Sequence, residues 1–273
     1  MALDDAHWPR SLVLLGAGKM GGALLRGWLA EGLDPACVRV VDPYLSEVMS
    51  AVCDSYGVNQ SSLSGPPEAL VLAIKPQTFS SNSGAFAGLA GPTTTVVSIL
   101  AGQTLANLRA GLPHAGSIVR AMPNLPVSVG RGMTTLAGEP DLPDAHRAIA
   151  QTLLGAVGQI EWLDESLIDA VTAVSGSGPA YVFLLAECLA EAGEAAGLPK
   201  DVAARLARAT VEGAGELMAT QSGTTPAALR EAVTSPGGTT AAALDVLRGV
   251  DGLGPLMTKA VAAAKARARE LAG

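Results

Sequence analysis

Three glycines near the N-terminus have a spacing that can bind phosphate. Gly16, Gly18 and Gly21 follow the short apolar run Leu12–Leu15 and open a stretch with helical periodicity. In that context the first glycine permits a tight turn, the second lets the backbone approach a pyrophosphate, and the third lets helix and strand pack closely. The helix N-terminus supplies N–H donors and the positive end of its dipole. The loop predicts a dinucleotide site; the alternative is a glycine turn without a ligand.

Asp42 ends the second apolar run, Val38–Val41, about 20 residues beyond the glycine loop. A carboxylate at this point accepts hydrogen bonds from the adenosine ribose hydroxyls. Its charge repels a 2′-phosphate, and residues 43–49 contain neither Arg nor Lys. The sequence therefore favours NAD over NADP, although Asp42 could instead only cap the loop before Pro43.

A second candidate site is the stretch of residues 235–240, Ser-Pro-Gly-Gly-Thr-Thr, which we predict to begin a helix at Pro236 that runs to Leu247. Glycines at the second and third helical positions cost about 1 kcal/mol each relative to alanine. Without Cβ atoms, however, they let a small anion approach the helix N-terminus. Such a pocket suits the carboxylate of an amino-acid-like substrate; the alternative is an ordinary Ser-Pro cap. The expected donors are the N–H groups of Gly237, Gly238 and Thr239 and the hydroxyls of Ser235, Thr239 and Thr240.

Two further features have open interpretations. Residues 175–181, Ser-Gly-Ser-Gly-Pro-Ala-Tyr, form another glycine- and serine-rich start of a helix. Ligand contact and close packing through small side chains both explain it. Lys75 is a basic residue at the carboxyl end of a predicted strand, where ligands of such sheets bind. We favour a solvated turn residue before Pro76 over a proton donor at this position.

The elements that must position these residues differ between the two halves of the chain. After the runs Leu12–Leu15 and Val38–Val41, further apolar runs occur at residues 69–74, 95–100 and 117–121, separated by helix-length segments. Continuous apolar strands that alternate with helices predict a parallel sheet covered on both faces. Residues 131–137 and 159–163 would add one or two edge strands. We therefore predict an α/β dinucleotide-binding domain over residues 1–163.

Residues 164–273 lack strand patterns and predict an all-α domain. Its long helices, rich in Ala and Leu, carry more apolar surface than one small bundle can cover, so we expect this domain to be the oligomer interface as well. Each predicted helix has a proline near its first turn, and a hydroxyl residue stands at several of the expected N-caps. The prolines are Pro179, Pro199, Pro226 and Pro236, and the expected N-caps are Ser177, Thr225 and Ser235.

Composition excludes several classes of protein. The chain has 273 residues, 49% hydrophobic and 16% charged, which is enough for a large core, and its net charge of −7 argues against nucleic acid as a partner. The most apolar stretch, residues 180–190, is short and contains Glu187, so we expect a buried helix and no membrane association. Residues 1–10 lack the features of a signal peptide. Three scattered cysteines and three scattered histidines predict reduced thiols in the cytoplasm and no metal site.

Taken together, these motifs resemble the pyrroline-5-carboxylate reductase family over nearly the whole chain. The resemblance implies a Rossmann-type N-terminal domain and a helical C-terminal domain that dimerises, in some members into decamers. It also implies reduction of 1-pyrroline-5-carboxylate to L-proline with NAD(P)H, the last step of proline synthesis. The residues that carry the resemblance are 16–21, 73–76 (Ala-Ile-Lys-Pro), 101–102 (Ala-Gly), 122–124 (Met-Pro-Asn), 175–181 and 235–240.

The resemblance assigns roles by position. Thr240 would lie nearest the ring nitrogen of the substrate, and Ser235, Gly238 and Thr239 would hold its carboxylate with Thr240. Asp42 would bind the adenosine ribose. The other expected cofactor contacts are Leu15, Gly16, Ala17, Gly18, Lys19 and Met20 at the pyrophosphate, Ala73, Ile74, Lys75, Pro76, Ile99, Leu100 and Ala101 beside the nicotinamide, and Glu165.

Two positions depart from the family pattern. Asp42 replaces a small or NADP-tolerant residue, and Ala232 stands where some relatives carry Asn beside the substrate loop. Two other functions remain open at this point: another imine or β-hydroxyacid reductase of the same plan, and a non-catalytic dinucleotide sensor. The helix after Pro179 contains no Lys, which argues against the hydroxyacid enzymes, and the second anion site argues against a sensor.

Overall fold

A computed structural model describes residues 8–58 and 65–272 of the chain. Residues 1–7, which hold most of the stretch predicted to lack a signal peptide, lie outside the described residues. The chain divides into two compact units, Met1–Gly176 with Lys265–Gly273, and Ser177–Ala264. The boundary predicted after residue 163 follows the last strand and stays a prediction.

The first unit contains a sheet of seven strands in the order β2-β1-β3-β4-β5-β6-β7. The pairs from β2 through β1, β3 and β4 to β5 are parallel, β6 is antiparallel to β5, and β7 is parallel to β6. The Rossmann-type α/β prediction is therefore confirmed. The strands are β1 (Leu12–Leu15), β2 (Val38–Val41), β3 (Ala69–Leu72), β4 (Thr95–Ser98), β5 (Ser117–Met122), β6 (Gly132–Gly138) and β7 (Gly158–Trp162).

Three strand predictions need correction. The strands β3 and β4 each end two residues earlier than the apolar runs suggested, because the last two residues of each run lie in the loop that follows the strand. Both extra strands are present, but only β7 is an edge strand, since β6 lies between β5 and β7.

Helices cover both faces of the sheet, as the continuous apolar strands predict. Leu12 and Leu14 belong to a core with α1, α2 and α5, whereas Val13 and Leu15 belong to a core with α3 and α4. Adjacent residues point to opposite faces because side chains alternate along a strand. These helices are α1 (Lys19–Ala30), α2 (Glu47–Tyr56), α3 (Pro76–Ala87), α4 (Leu105–Gly111) and α5 (Asp144–Gly155).

One ion pair and one side-chain hydrogen bond fix helices of this unit to the sheet. Glu139 accepts two hydrogen bonds from Arg109 of α4, at 2.8 and 2.6 Å, and one from the N–H of Ile118 in β5 at 2.9 Å. Burial alone would raise the pKa of Glu139, but these hydrogen bonds lower it below its usual value. On the other face, His146 of α5 shares a hydrogen bond of 2.7 Å with the Thr95 hydroxyl, and burial lowers the pKa of the imidazole.

From residue 164 onward every described element is helical, as predicted. A four-residue helix and a π-helix, Thr172–Gly176, lead to the end of the first unit. In the second unit α7 and α8 pack through small residues, with Ala203 and Ala207 buried. The helices from residue 164 are α6 (Ile168–Val171), α7 (Gly178–Ala195), α8 (Lys200–Thr220), α9 (Pro226–Ala232), α10 (Thr239–Leu247) and α11 (Leu253–Ala272).

The expectation of a buried helix over residues 180–190 is wrong for the single chain. None of the residues of α7 is buried, and Phe183, Leu184 and Leu185 each expose half or more of their surface. The helical run Glu165–Ala195 is long and apolar enough to cross a membrane by length and composition, with 6% of its most apolar window buried. Residues 8–58 and 65–272 therefore leave this apolar surface uncovered.

Candidate functional site

The glycine loop joins β1 to α1 and has the geometry that the motif requires. Gly16 has a φ of +93°, and a Cβ atom on it would lie 2.7 Å from the carbonyl oxygen of Ala73. A Cβ atom on Gly21 would lie 2.2 Å from the Gly16 oxygen, so both positions exclude larger residues. A Cβ atom on Gly18 would meet nothing within 4 Å. The space over Gly18 is where a pyrophosphate can approach the backbone.

The loop lies at the point where the strand order of the sheet reverses. The chain passes from β1 to β2 on one side, and then from β2 to β3 on the other side of β1. Open α/β sheets bind ligands at such a point, outside the carboxyl ends of the strands. Here the close contact between Gly16 and Ala73 brings the ends of β1 and β3 together. The first-turn N–H groups of Lys19, Met20 and Gly21 have no intrahelical acceptor and carry the positive end of the α1 dipole.

Asp42 contacts the glycine loop directly. One carboxylate oxygen accepts a hydrogen bond from the N–H of Ala17 at 2.8 Å, and the other accepts one from the N–H of Tyr44 at 2.9 Å. Asp42 therefore does cap the loop that follows it. A carboxylate has about four lone-pair positions, so these two bonds leave acceptors for ribose hydroxyls. The bond to Ala17 also removes one N–H group from those available to phosphate.

The segments after β3 and β4 form the neighbouring part of the same edge. Lys75 is exposed and stands at the N-cap of α3, with Pro76 as the first helical residue. Among the described contacts it makes no ion pair, which fits a solvated turn residue. After β4, Leu100 turns its side chain into the core, whereas Ala101 is exposed. The backbone of this segment, rather than the Leu100 side chain, faces the edge of the sheet.

Glu165 has partners that the sequence did not reveal. Its Oε1 accepts hydrogen bonds from the N–H of Leu105 at 2.7 Å and from the guanidinium of Arg120 at 3.2 Å. Arg120 lies on β5 and is 7% exposed, so Glu165 neutralises a buried cation. A cavity of about 650 Å³ lies beside this pair. An Arg in an otherwise apolar strand pattern is the signal that could have identified this residue.

The structure corrects the start of the helix at the second site. The helix α10 begins at Thr239 rather than at Pro236, and its N-cap is Gly238, not Ser235. The N–H of Gly238 donates to the carbonyl of Ser235 at 3.0 Å, and Gly237 has a φ of +68°. Proline at the second position and a left-handed glycine at the third are typical of a type II turn. The two glycines therefore shape a turn and do not occupy helical positions.

This correction changes the set of donors. The N–H group of Gly238 is used within the turn, while the first-turn N–H groups of Thr239, Thr240 and Ala241 have no intrahelical acceptor. A Cβ atom on Gly238 would lie 2.4 Å from the Ser235 Oγ, so this hydroxyl is held against the turn. The side chains of Ser235, Thr239 and Thr240 are exposed. The predicted hydroxyls therefore remain at the start of α10, while the free N–H groups begin two residues later than predicted.

The other predicted caps differ from one another. Thr225 caps α9 as predicted, since its hydroxyl accepts the N–H of Ala228 at 3.2 Å. Ser177 occupies the N-cap of α7 without a side-chain hydrogen bond.

Within residues 8–58 and 65–272, no group of three or more His, Cys, Asp or Glu side chains could hold a metal ion.

Comparison with known proteins gives matches to both parts of the chain. Residues 165–271 match a family model described as pyrroline-5-carboxylate reductase dimerisation. Residues 11–102 match a model described as NADP oxidoreductase, coenzyme F420-dependent. The second model covers the glycine loop, Asp42 and the segment after β3.

Full-length relatives have the same organisation. Pyrroline-5-carboxylate reductase of Pseudomonas aeruginosa is 39% identical over 266 residues, which cover 96% of each chain. That of Synechocystis is 40% identical over 268 residues, 95% of this chain and 97% of the relative. A solved pyrroline-5-carboxylate reductase structure from Coxiella burnetii superposes with a TM-score of 0.87 at 34% identity, over 96% of this chain and 98% of that one. The chain belongs to the pyrroline-5-carboxylate reductase family.

Proposed function

We propose that the protein reduces 1-pyrroline-5-carboxylate to L-proline with NAD(P)H, the last step of proline biosynthesis. The observation that carries this proposal is the full-length similarity to reductases of that name, which includes both candidate sites. The cofactor site follows β1 and the substrate site begins α10, each at the N-terminus of a helix. Helix N-termini bind the negative groups that the two ligands carry, phosphate and carboxylate.

The proposed cofactor contacts follow the edge of the sheet. The N–H groups at the start of α1 bind the pyrophosphate, and Asp42 binds the ribose hydroxyls with the oxygen positions that Ala17 and Tyr44 leave open. Because Asp42 places a negative charge where a 2′-phosphate would lie, we infer a preference for NADH over NADPH. Ala73 to Pro76, Ile99 to Ala101 and Glu165 are the proposed contacts on the nicotinamide side.

The proposed substrate contacts lie around the turn before α10. The carboxylate of the substrate accepts hydrogen bonds from first-turn N–H groups of α10 and from the hydroxyls of Ser235 and Thr239. Gly237 and Gly238 contribute the shape of the turn, which any larger side chain at Gly238 would disturb. Thr240 hydrogen-bonds the ring nitrogen of the cyclic imine.

The proposed reaction needs no strong general base from the protein. Reduced nicotinamide, when bound, supplies a hydride to the imine carbon, and the ring nitrogen takes a proton. A protonated imine is already electrophilic, so the chain mainly orients two rings and excludes water. Thr240 holds the proton at the ring nitrogen through its hydroxyl, which both donates and accepts hydrogen bonds.

The proposed assembly is a homodimer formed through the helical unit. The exposed side chains of Phe183, Leu184 and Leu185 form an apolar surface of the kind that marks protein interfaces. Residues 165–271 match the dimerisation model, which supports covering this surface with a second chain rather than a membrane. We extend the proposal to the assembly of five such dimers into a decamer and to a cytoplasmic location.

The direct test is oxidation of NADH or NADPH, followed by its absorbance, on addition of 1-pyrroline-5-carboxylate. We expect turnover with this substrate and none with a β-hydroxyacid and the oxidised cofactor. The helix α7 contains no Lys that could act as the base of a hydroxyacid enzyme. Oxidation of the hydroxyacid without reduction of the imine would contradict the proposal.

A further inference from the structure

The backbone around Ser175 contains a carbonyl that the helices cannot satisfy. It belongs to the π-helix Thr172–Gly176, directly before α7. An α-helical bond would need the N–H of residue 179, but that residue is Pro179 and has none. A π-helical bond would need the N–H of Ala180, which instead donates to the carbonyl of Ser177 at 3.0 Å. The Ser175 carbonyl therefore needs a hydrogen-bond donor from outside the helix.

Asn124 supplies that partner. Its Nδ2 donates to the Ser175 carbonyl at 3.2 Å, and its Oδ1 accepts the N–H of Met133 in β6 at 2.9 Å. Because both ends of the amide are used, the side chain has one orientation. Next to it, a Cβ atom on Gly176 would lie 2.8 Å from the Met122 Cε. The end of β5 therefore holds the π-helix in close contact.

The contact between Asn124 and Ser175 lies beyond the carboxyl end of β5, at the edge of the sheet where we propose that the cofactor binds. In the register of β4 and β5, Ser98 pairs with Arg120, which places Met122 level with Leu100. Neighbouring strands are about 4.8 Å apart. Asn124 lies two residues beyond the end of β5, and β5 is the neighbour of β4, which residues 99–101 follow on the proposed nicotinamide side.

Ser175 also has a hydroxyl without a partner. Its Oγ is one of three buried side-chain polar atoms in the described part of the chain that make no hydrogen bond; the others are Thr134 Oγ1 and Trp162 Nε1. Buried polar atoms normally have a partner, and an exception in a native protein requires an explanation such as a bound group. The residue as a whole is only half-buried, so Ser175 lies near the surface although its hydroxyl oxygen is buried.

We propose that the Ser175 hydroxyl hydrogen-bonds the nicotinamide carboxamide of the cofactor, and that Asn124 is a positioning residue that holds Ser175 in place. The hydroxyl can donate to the carboxamide oxygen or accept from its amide group. This proposal rests on the use of NAD(P)H. It gives a shared role to the Met-Pro-Asn motif and to the serine-glycine motif, which lie 51 residues apart in sequence.

The first test is the Ser175→Ala variant, with dissociation constants measured by fluorescence titration for NADH and for ADP-ribose, which lacks the nicotinamide. We expect NADH to bind about 3- to 10-fold more weakly, the range for one neutral hydrogen bond, and ADP-ribose to bind as before. The Tm of the free protein should stay unchanged or rise, because the variant removes an unpaired buried hydroxyl. The control is Ser128→Ala, whose hydroxyl is exposed and donates to the Leu125 carbonyl nearby.

The second test uses Asn124→Asp and Asn124→Ala. Both leave the Ser175 carbonyl without its donor, so NADH should again bind several-fold more weakly while ADP-ribose binding is kept. A fall in Tm with an unchanged ratio of the two dissociation constants would show a purely structural role and overturn the proposal. Equal weakening of both ligands would overturn it as well.

These titrations contain no substrate, so they separate the two proposals. If the wild-type protein binds NADH but does not reduce 1-pyrroline-5-carboxylate, the proposed function fails and the role of Ser175 is still tested. If Ser175→Ala binds NADH as the wild type does, the role of Ser175 fails and the proposed function stands.

Discussion

At the scale of single residues, the proposed chemistry depends on hydroxyls and one carboxylate rather than on strongly basic groups. Asp42 forms hydrogen bonds to two N–H groups of its own chain, yet keeps lone pairs for a ligand. Thr240 is exposed at the start of α10, with its hydroxyl available. Two predictions follow from the roles proposed for these side chains.

Thr240→Ala should lower kcat on the order of 10²-fold, because the hydroxyl that holds the proton at the ring nitrogen is lost. The dissociation constant for NADH should not change, since Thr240 contacts the substrate alone. Steady-state kinetics and fluorescence titration measure the two quantities. Thr258→Ala, which removes an exposed hydroxyl on α11, is the matched control and should turn over normally. Turnover of Thr240→Ala at the wild-type rate would remove this residue from the mechanism.

Asp42→Asn should shift cofactor preference toward NADPH. The variant keeps the size of the side chain but removes the charge that repels the 2′-phosphate. We expect the ratio of kcat/KM for NADPH to that for NADH to rise about tenfold, equivalent to about 1.4 kcal/mol. Asp54→Asn, a change of the same kind at the far end of α2, should leave the ratio unaltered. A wild-type protein that already prefers NADPH would contradict the argument from charge.

At the scale of elements, turns and helix ends decide which groups reach a ligand. The type II turn before α10 moves the helix start three residues beyond the predicted one, and the N–H donors move with it. In the first unit, the helix α5 is fixed to β4 by a pair whose strength depends on pH, His146 with Thr95.

Gly237→Ala should strain the turn, because a φ of +68° costs an L-residue about 1–2 kcal/mol. The start of α10 would move, so we expect KM for 1-pyrroline-5-carboxylate to rise severalfold while NADH binding stays the same. Gly88→Ala is the matched control: its φ of −74° suits alanine, and no atom lies near its Cβ position. An unchanged KM in Gly237→Ala would show that the turn does not shape the substrate site.

The free energy of unfolding should fall as the pH drops below 6.5, in part because of His146. Burial lowers the pKa of the folded imidazole, so the neutral form is favoured in the native state. This contribution is fully present above the unfolded pKa of about 6.5 and is lost as the pH falls through the folded value. His146→Gln should therefore show a flatter dependence below pH 6.5 in urea unfolding. His114→Gln, at an exposed position, should keep the wild-type slope.

At the scale of the whole molecule, the exposed apolar face of α7 determines the proposed assembly. Wild-type protein should give a light-scattering mass at micromolar concentration that is a multiple of the 27.4 kDa chain. Phe183→Glu should shift this mass toward the monomer, since a charge in an apolar interface is costly unless paired. Val48→Glu, at an exposed site on α2, should leave the mass unchanged. A monomeric wild type would contradict the proposal.

The sequence by itself determined the class of fold and the position of two candidate sites. The apolar run Leu12–Leu15 coincides with β1, because a buried parallel strand needs continuous apolar residues. The roles of Gly16 and Gly21 could also be predicted from the sequence, because a Cβ atom at either position would collide with the backbone. Strand patterns and steric limits of this kind depend on residues close together in sequence, so they can be predicted without a structure.

Only the tertiary structure decided which groups meet across the chain. The bond from Asn124 to the Ser175 carbonyl and the pairing of Arg120 with Glu165 join residues far apart in sequence, and no local pattern encodes such contacts. The start of α10 also escaped prediction, because Pro236 suits a helix and a type II turn equally well. The left-handed φ of Gly237 selects the type II turn. The turn in turn sets which N–H groups at the start of α10 are free for the proposed substrate.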